Sequence, residues 1–229
     1  MNSTFKESSS STLSGPGLSS GLLIVFEGID GSGKSTQIKR LSRTLDFRKI
    51  PCRVTKEPGA TPLGTHLRSL LLDPGVGIAR EAELFLFMAD RVQHVKEVLR
   101  PDLERAKIVL SDRLYEATMA YQGFGSGLSR EFVASLNRFC MGNLNPDLTI
   151  LLDLPVSVLE ERLASRDEGR TRFESLGRDY FERVRKGYLE IARVHRDRTL
   201  VMDATSSPDT LESEILKALV NRFPGRFGQ

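Results

Sequence analysis

A three-layer α/β sandwich, with a five-stranded parallel sheet covered by helices on both faces, is the fold this sequence predicts. Three observations point to it: five short apolar runs of strand length, their near-continuous rather than alternating hydrophobicity, and longer intervening segments with apolar residues at helical spacing. The runs are Leu22 to Phe26, Cys52 to Thr55, Ile108 to Leu110, Leu148 to Leu152 and Thr199 to Met202. A strand that is apolar on both sides needs cover on both sides, which is the usual condition of a parallel sheet.

The helices follow in order. After the first run, Ile38, Leu41 and Leu45 mark one apolar stripe; after the second, Leu63, Leu67, Leu70 and Leu71 mark another in a helix from Pro62. A longer helix is expected from Glu81 to Leu99, with Leu84, Phe85, Phe87, Val92, Val95 and Leu99, closed by Pro101. Further helices are expected at Arg130 to Cys140, Val156 to Ser165, Tyr180 to His195 and Pro208 to Val220. No internal repeat is visible.

The chain of 229 residues suits one domain, expected over 21–229. Eight of the first twenty residues are serine, so 1–20 has little apolar surface and is expected to be a disordered tail. The tail lacks the apolar core of a secretory signal and contains no arginine, which weighs against an organellar transit peptide. A net charge of +3, from 33 basic and 30 acidic residues, indicates no nucleic-acid-coating surface, and no run is long enough to cross a bilayer. Two distant cysteines, Cys52 and Cys140, suggest neither a disulfide framework nor a zinc site, so a reducing cytoplasm is the expected location.

The segment Gly28-Ile29-Asp30-Gly31-Ser32-Gly33-Lys34-Ser35-Thr36 fits the phosphate-loop pattern of glycine, four residues, then Gly-Lys-Ser. It follows an apolar strand and opens a helix, the setting in which glycines allow backbone N–H groups to converge on phosphate oxygens at a helix N-terminus. Lys34 is expected to bridge the β- and γ-phosphates, and Ser35 to ligate magnesium. The run ending Ser111-Asp112 carries Asp112 to the carboxyl edge of the sheet, where it can hold the same ion or simply end a strand. The fold is thus a P-loop NTPase-type sandwich. The guanine-reading Asn-Lys-x-Asp segment of GTPases does not occur.

Several separated segments resemble those of thymidylate kinases, in the same order. They are Phe26 to Thr36, Thr55-Lys56-Glu57-Pro58-Gly59-Ala60-Thr61-Pro62-Leu63-Gly64, Asp112-Arg113, Ala120-Tyr121-Gln122-Gly123, and Pro146-Asp147-Leu148-Thr149 leading to Leu152-Asp153. The resemblance covers roughly 21–220 and implies transfer of the γ-phosphoryl group of ATP to thymidine monophosphate (dTMP), with Mg²⁺ as cofactor.

It also implies residue roles. Phe87 stacks on thymine and Arg91, four residues on, reaches a thymine carbonyl; a flat ring and a donor fork suit a pyrimidine dione. Thr118 and Gln122 face the base edge, and Tyr121 crowds the sugar 2′ position. Arg68 and Arg113 grip the acceptor phosphate, while Asp30 and Glu57 position the 3′-hydroxyl or the magnesium shell. Arg166, Arg170 and Arg172 lie in a lid expected around 162–175, whose Thr171-Arg172-Phe173-Glu174 resembles the family's Asp-Arg-Phe-Glu. Because Gly31 stands where some members carry a loop arginine, the lid supplies the catalytic charge, as in bacterial-type members. Adenine is expected near Asp203-Ala204-Thr205, and a homodimer is the family habit.

Three departures stand out: Lys56 where arginine is commoner, Leu114 where tyrosine is usual and Ala60 where glycine is usual. Lysine cannot form the planar fork of arginine, so the phosphate contact of Lys56 is open. Another nucleoside monophosphate or a deoxynucleoside as acceptor, and a nucleotide-gated interaction module without transfer, are the alternatives.

Overall fold

The computed structural model describes residues 21–165 and 171–228. The sheet contains β1 (Leu22–Glu27), β2 (Cys52–Lys56), β3 (Ile108–Asp112), β4 (Leu148–Asp153) and β5 (Thr199–Asp203), all parallel, in the order β2-β3-β1-β4-β5. Each strand starts where its apolar run starts and extends past the run to a polar or charged residue at the carboxyl edge. Register aligns these ends: Phe26 and Lys56 both pair with Asp112, and Asp153 with Asp203.

The sheet is covered on both faces by the alternation of β1. Leu22, Ile24 and Phe26 join a core with Ile38, Leu41 and Leu45 of α1 (Lys34–Phe47) and Leu211, Ile215 and Leu219 near the end of the chain. Leu23 and Val25 face the opposite way, against Val95, Leu99 and Val109. Successive side chains of a strand point to opposite faces, so one apolar run serves both layers.

α2 (Pro62–Leu72) begins at Thr61, whose hydroxyl accepts from Gly64 N–H at 3.0 Å, with Pro62 in the first turn. The long helix departs from expectation. α3 (Arg80–His94) passes into a π-helical turn, Val95–Leu99, and the chain continues as α4 (Arg100–Glu104), so Pro101 lies inside a helix rather than closing it. The wider π turn lets the chain continue where proline offers no N–H and its ring would crowd the preceding turn.

A second difference is the short α5 (Tyr115–Thr118) with a π-helical segment, Met119–Gly125, which follows β3 and was not expected. It packs closely on α8 (Gly177–Val194). A Cβ at Gly125 would lie 2.8 Å from the Tyr180 ring, and one at Gly187 would lie 2.7 Å from the Phe124 ring. These two glycines let the segments touch. The remaining helices are α6 (Arg130–Met141), α7 (Val156–Ala164), α8 (Gly177–Val194), α9 (Pro208–Arg222) and α10 (Pro224–Phe227). The expected tail at 1–20 lies outside the described residues.

Behind the carboxyl edge sit two buried acids. Glu27 accepts hydrogen bonds from Leu114 N–H and the Tyr188 hydroxyl, each at 2.8 Å. Glu116 accepts from Thr149 Oγ1 at 3.0 Å, and its other oxygen has no hydrogen-bond partner. Burial, with the charge of Glu116 adding to it, pushes the Glu27 carboxyl up to about 8; burial also raises Glu116. A carboxyl raised above its unfolded value favours the fold fully below that unfolded value and loses its contribution as pH rises toward about 8. We expect stability to fall between about pH 5 and about pH 8, by up to ~1.4 kcal/mol per pH unit from this group. Glu27→Gln should show a shallower slope in urea unfolding across that range; identical slopes would contradict the assignment.

Candidate active site

The phosphate loop leaves β1 at Gly28, with φ 136°, where a Cβ would lie 2.4 Å from the Leu152 carbonyl oxygen. Only glycine fits that approach to β4. Gly31 and Gly33 also have positive φ, and α1 starts at Lys34, so Ile29, Asp30, Ser32 and the glycines form a turn wrapped around the N-terminus of α1. The Lys34 ammonium donates to the carbonyls of Gly28 and Ile29, both at 3.0 Å. Burial and the nearby charge of Arg113 push it down to about 8. Ser35 donates to Asp112 Oδ2 at 2.9 Å, so these two oxygen groups stand together at the loop mouth, and Thr36 follows them, exposed.

Two adjoining cavities open beyond the strand ends. One, of about 500 Å³, is lined by the phosphate loop together with Lys56 and Asp112; the other, of about 260 Å³, is lined by Phe87, Arg91, Thr118, Tyr121, Gln122 and Phe173 among others. Asp30, Glu57, Arg68, Arg113 and Glu174 line both. Two compartments with a shared charged wall suit two ligands meeting end to end.

Arg113 is the centre of that wall. It adopts a left-handed backbone, φ 71°, which for a non-glycine residue costs on the order of 1–2 kcal/mol. Its guanidinium donates to Gly28 O at 3.0 Å, the Tyr188 hydroxyl at 2.9 Å, Asp30 Oδ1 at 2.6 Å and the Tyr121 hydroxyl at 3.2 Å. Although burial works against it, the charges of Arg113 and Lys34 keep the Asp30 carboxyl below its ordinary range. Tyr121, in the π-helical segment, also donates to Asp30 Oδ2 at 3.3 Å. Arg68 on α2 donates to Pro58 O at 2.9 Å and reaches both cavities.

Phe87 lies half-buried in the smaller cavity, 6.0 Å from the Phe173 ring and inclined to it by 50°. Arg91 is wholly buried. It grips Glu57 Oε2 through Nε at 2.9 Å and Nη2 at 2.8 Å, and donates to Thr118, Asn137 and Leu114 O. Its donors are thus already engaged within the protein. Gln122 donates to Glu83 Oε1 at 2.6 Å.

Arg172 stands apart from the phosphate loop. It donates to Leu71 O at 3.0 Å, pairs with Glu83 and lies 4.5 Å over the Phe173 ring, on the side of the smaller cavity. Arg166 and Arg170 lie outside the described residues. Arg162 donates to Gly31 O at 2.7 Å and Ala204 O at 3.0 Å, fastening α7 to the phosphate loop and to the end of β5.

The thymidylate kinase family model matches residues 26–215. A thymidylate kinase of Desulfovibrio desulfuricans is 45% identical over 205 residues, covering 86% of this chain and 94% of its own. One from Deinococcus radiodurans is 43% identical, covering 90% and 99%. The crystal structure of a thymidylate kinase from Ehrlichia chaffeensis superposes with a TM-score of 0.71 at 30% identity, covering 87% of this chain and 98% of that one. The chain belongs to the thymidylate kinase family.

Members of this family use ATP to phosphorylate dTMP to dTDP, which makes the chain a nucleoside monophosphate kinase. Several residues around the cavities escaped sequence reasoning: Glu83, His94, Asn137 and Tyr188, while Glu27 and Phe173 lie in segments that carry the resemblance but were given no role. One signal was available. Glu83, Phe87, Asp90, Arg91 and His94 recur at helical spacing, and four of these five are charged or polar yet buried in the structure. A polar stripe on the inward face of a helix marks a site rather than a core.

Lys34 supplies a prediction. A polyanion near its ammonium raises its affinity for a proton, so ATP binding at about pH 8 should take up protons. Calorimetry in buffers of different ionisation enthalpy should show this uptake in the native enzyme and its loss in Lys34→Met; equal uptake in both would remove Lys34 as the source.

Proposed function

We propose that the larger cavity seats the ATP phosphates, the smaller one seats dTMP, and Arg113 holds the acceptor phosphate at the wall between them. The observation that carries this is the shared wall, where Asp30, Glu57, Arg68 and Arg113 face both compartments. Phosphoryl transfer depends chiefly on alignment and charge neutralisation, and such a wall provides both. Phe87 offers a π face to thymine, Thr118 and Gln122 its polar edge contacts, and Tyr121, held against Asp30, fills space beside the sugar. Asp30 and Glu57 position the 3′-hydroxyl. For Arg91 to reach a base carbonyl, it must share a donor now given to Thr118 or Leu114 O.

Ser35 and Asp112 fit Mg²⁺, a hard cation that takes oxygen ligands and is commonly held by one or two protein groups together with substrate phosphates. Bound there, the ion would supply positive charge to the phosphate oxygens. Lys34 and the phosphate-loop amides orient the triphosphate, and adenine lies near Asp203-Ala204-Thr205, beside the Arg162 anchor. Phe85, Phe132 and Phe139 are exposed on α3 and α6, with Phe85 and Phe132 edge to face at 6.5 Å, which supports a homodimer through these helices. Among the described residues no helix is long and apolar enough to cross a membrane; a cytoplasmic location accords with the family chemistry.

The segment around 162–175 acts as a lid on this proposal, with Arg166 and Arg170 contributing charge to the transferring phosphoryl group. The position of Arg172, bound to Glu83, supports a role on the acceptor side.

ADP release with dTMP, dUMP, dCMP and thymidine as acceptors tests the assignment. Rates should be highest with dTMP and measurable with dUMP, because one methyl group in an apolar pocket is worth only about 1–3 kcal/mol. A preference for dCMP, or no dTMP-dependent ADP, would refute it. Arg172→Ala should raise the KM for dTMP roughly tenfold with kcat little changed; a lower kcat at constant KM would return Arg172 to the phosphoryl group.

A further inference from the structure

His94 is completely buried and lies between two side chains at the end of β2. Its Nδ1 is 2.8 Å from Glu57 Oε1, and its Nε2 is 2.7 Å from Thr55 Oγ1. Thr55 and Glu57, two residues apart, are both buried. The other Glu57 oxygen receives both Arg91 contacts, so α3 holds both oxygens of one carboxylate. That carboxylate lines both cavities.

We propose that His94 is a positioning residue for phosphoryl transfer, fixing the orientation of Glu57 through a directed hydrogen-bond chain from Thr55. An ionised carboxylate only accepts, so Nδ1 must carry a proton toward Glu57. In the proposed tautomer Nε2 carries no proton and accepts from the Thr55 hydroxyl, so the chain runs Thr55 O–H to Nε2, then Nδ1–H to Glu57 Oε1. Partnering of the second ring nitrogen is what selects a histidine tautomer. Despite burial, Arg91 and His94 keep Glu57 below the ordinary carboxylate range. Asp90, one helical turn before His94, binds Gly59 N–H at 3.0 Å, so α3 fixes the loop on both sides of Pro58. A carboxylate displaced by about 1 Å at such a junction can cost ~10²-fold in rate.

This inference rests on the dTMP kinase assignment, and the two fail differently. If the native enzyme releases no ADP with dTMP, the assignment itself fails. If it does, His94→Asn and His94→Gln separate positioning from packing, because the asparagine amide nitrogen stands near Nδ1 and the glutamine one near Nε2. His94→Asn should keep kcat near the native value, whereas His94→Gln should lower it about tenfold or more, with the KM for ATP unchanged and similar melting temperatures for the two. Equal losses in both variants would overturn the proposal. The native protein gives an independent check should either variant not fold: ¹⁵N imidazole spectra at pH 8 should show His94 protonated at Nδ1 and not at Nε2. The opposite tautomer would also overturn it.

Discussion

Two cationic side chains, Arg113 after β3 and Lys34 at the start of α1, are held largely buried at the carboxyl edge of the sheet, and holding both there is the constraint around which the site is arranged. Burial and the charge of Arg113 both push Lys34 down. Repulsion between buried cations is offset only by acceptors held in place. Here those acceptors are Asp30, the Tyr121 and Tyr188 hydroxyls and the carbonyls of Gly28 and Ile29. The left-handed backbone at Arg113 turns its side chain back across β1, and four hydrogen bonds hold it there. On the proposed assignment these cations face two phosphate-bearing ligands, whose binding would relieve repulsion that folding had to contain.

The carboxylates divide into two groups by environment. Asp30 and Glu57 each contact an arginine and stay ionised despite burial. Glu27 and Glu116 lack a direct arginine partner among the described hydrogen bonds, and burial raises both. Charged acids therefore face the cavities, and acids whose proton affinity burial raises sit behind them. Glu27 still takes part, since the Tyr188 hydroxyl that it accepts from also accepts from Arg113. The wall is a continuous network from the end of β1 through α8 to β3.

The sheet was legible because burial on both faces writes itself as uninterrupted apolar runs, and every strand began where its run began. The phosphate loop was legible because its glycines, Lys34 and Ser35 are contiguous. Segment 115–125 was not, since its packing depends on Gly125 meeting Tyr180, a long-range contact with no local period. The continuation past Pro101 depended on a π turn, a backbone adjustment that the residue pattern does not show. The roles of Asn137 and His94 were hidden for a similar reason: each matters through a partner far away in sequence, Arg91 for one and Glu57 for the other.

The two described arginines that flank 166–170 are secured to opposite sides of the site. Arg162 is bound to the phosphate loop through Gly31 O, and Arg172 to the acceptor side through Glu83, which also accepts from Gln122. One end of the proposed lid is therefore fastened to the phosphate loop, and the other to a carboxylate that Gln122 also contacts. Each anchor therefore borders a different one of the two cavities. A carboxylate shared between Gln122 and Arg172 cannot satisfy a base-edge contact and the lid independently, so movement of one must be felt by the other. On the proposed assignment, occupation of the smaller cavity is in this way coupled through Glu83 to Arg172.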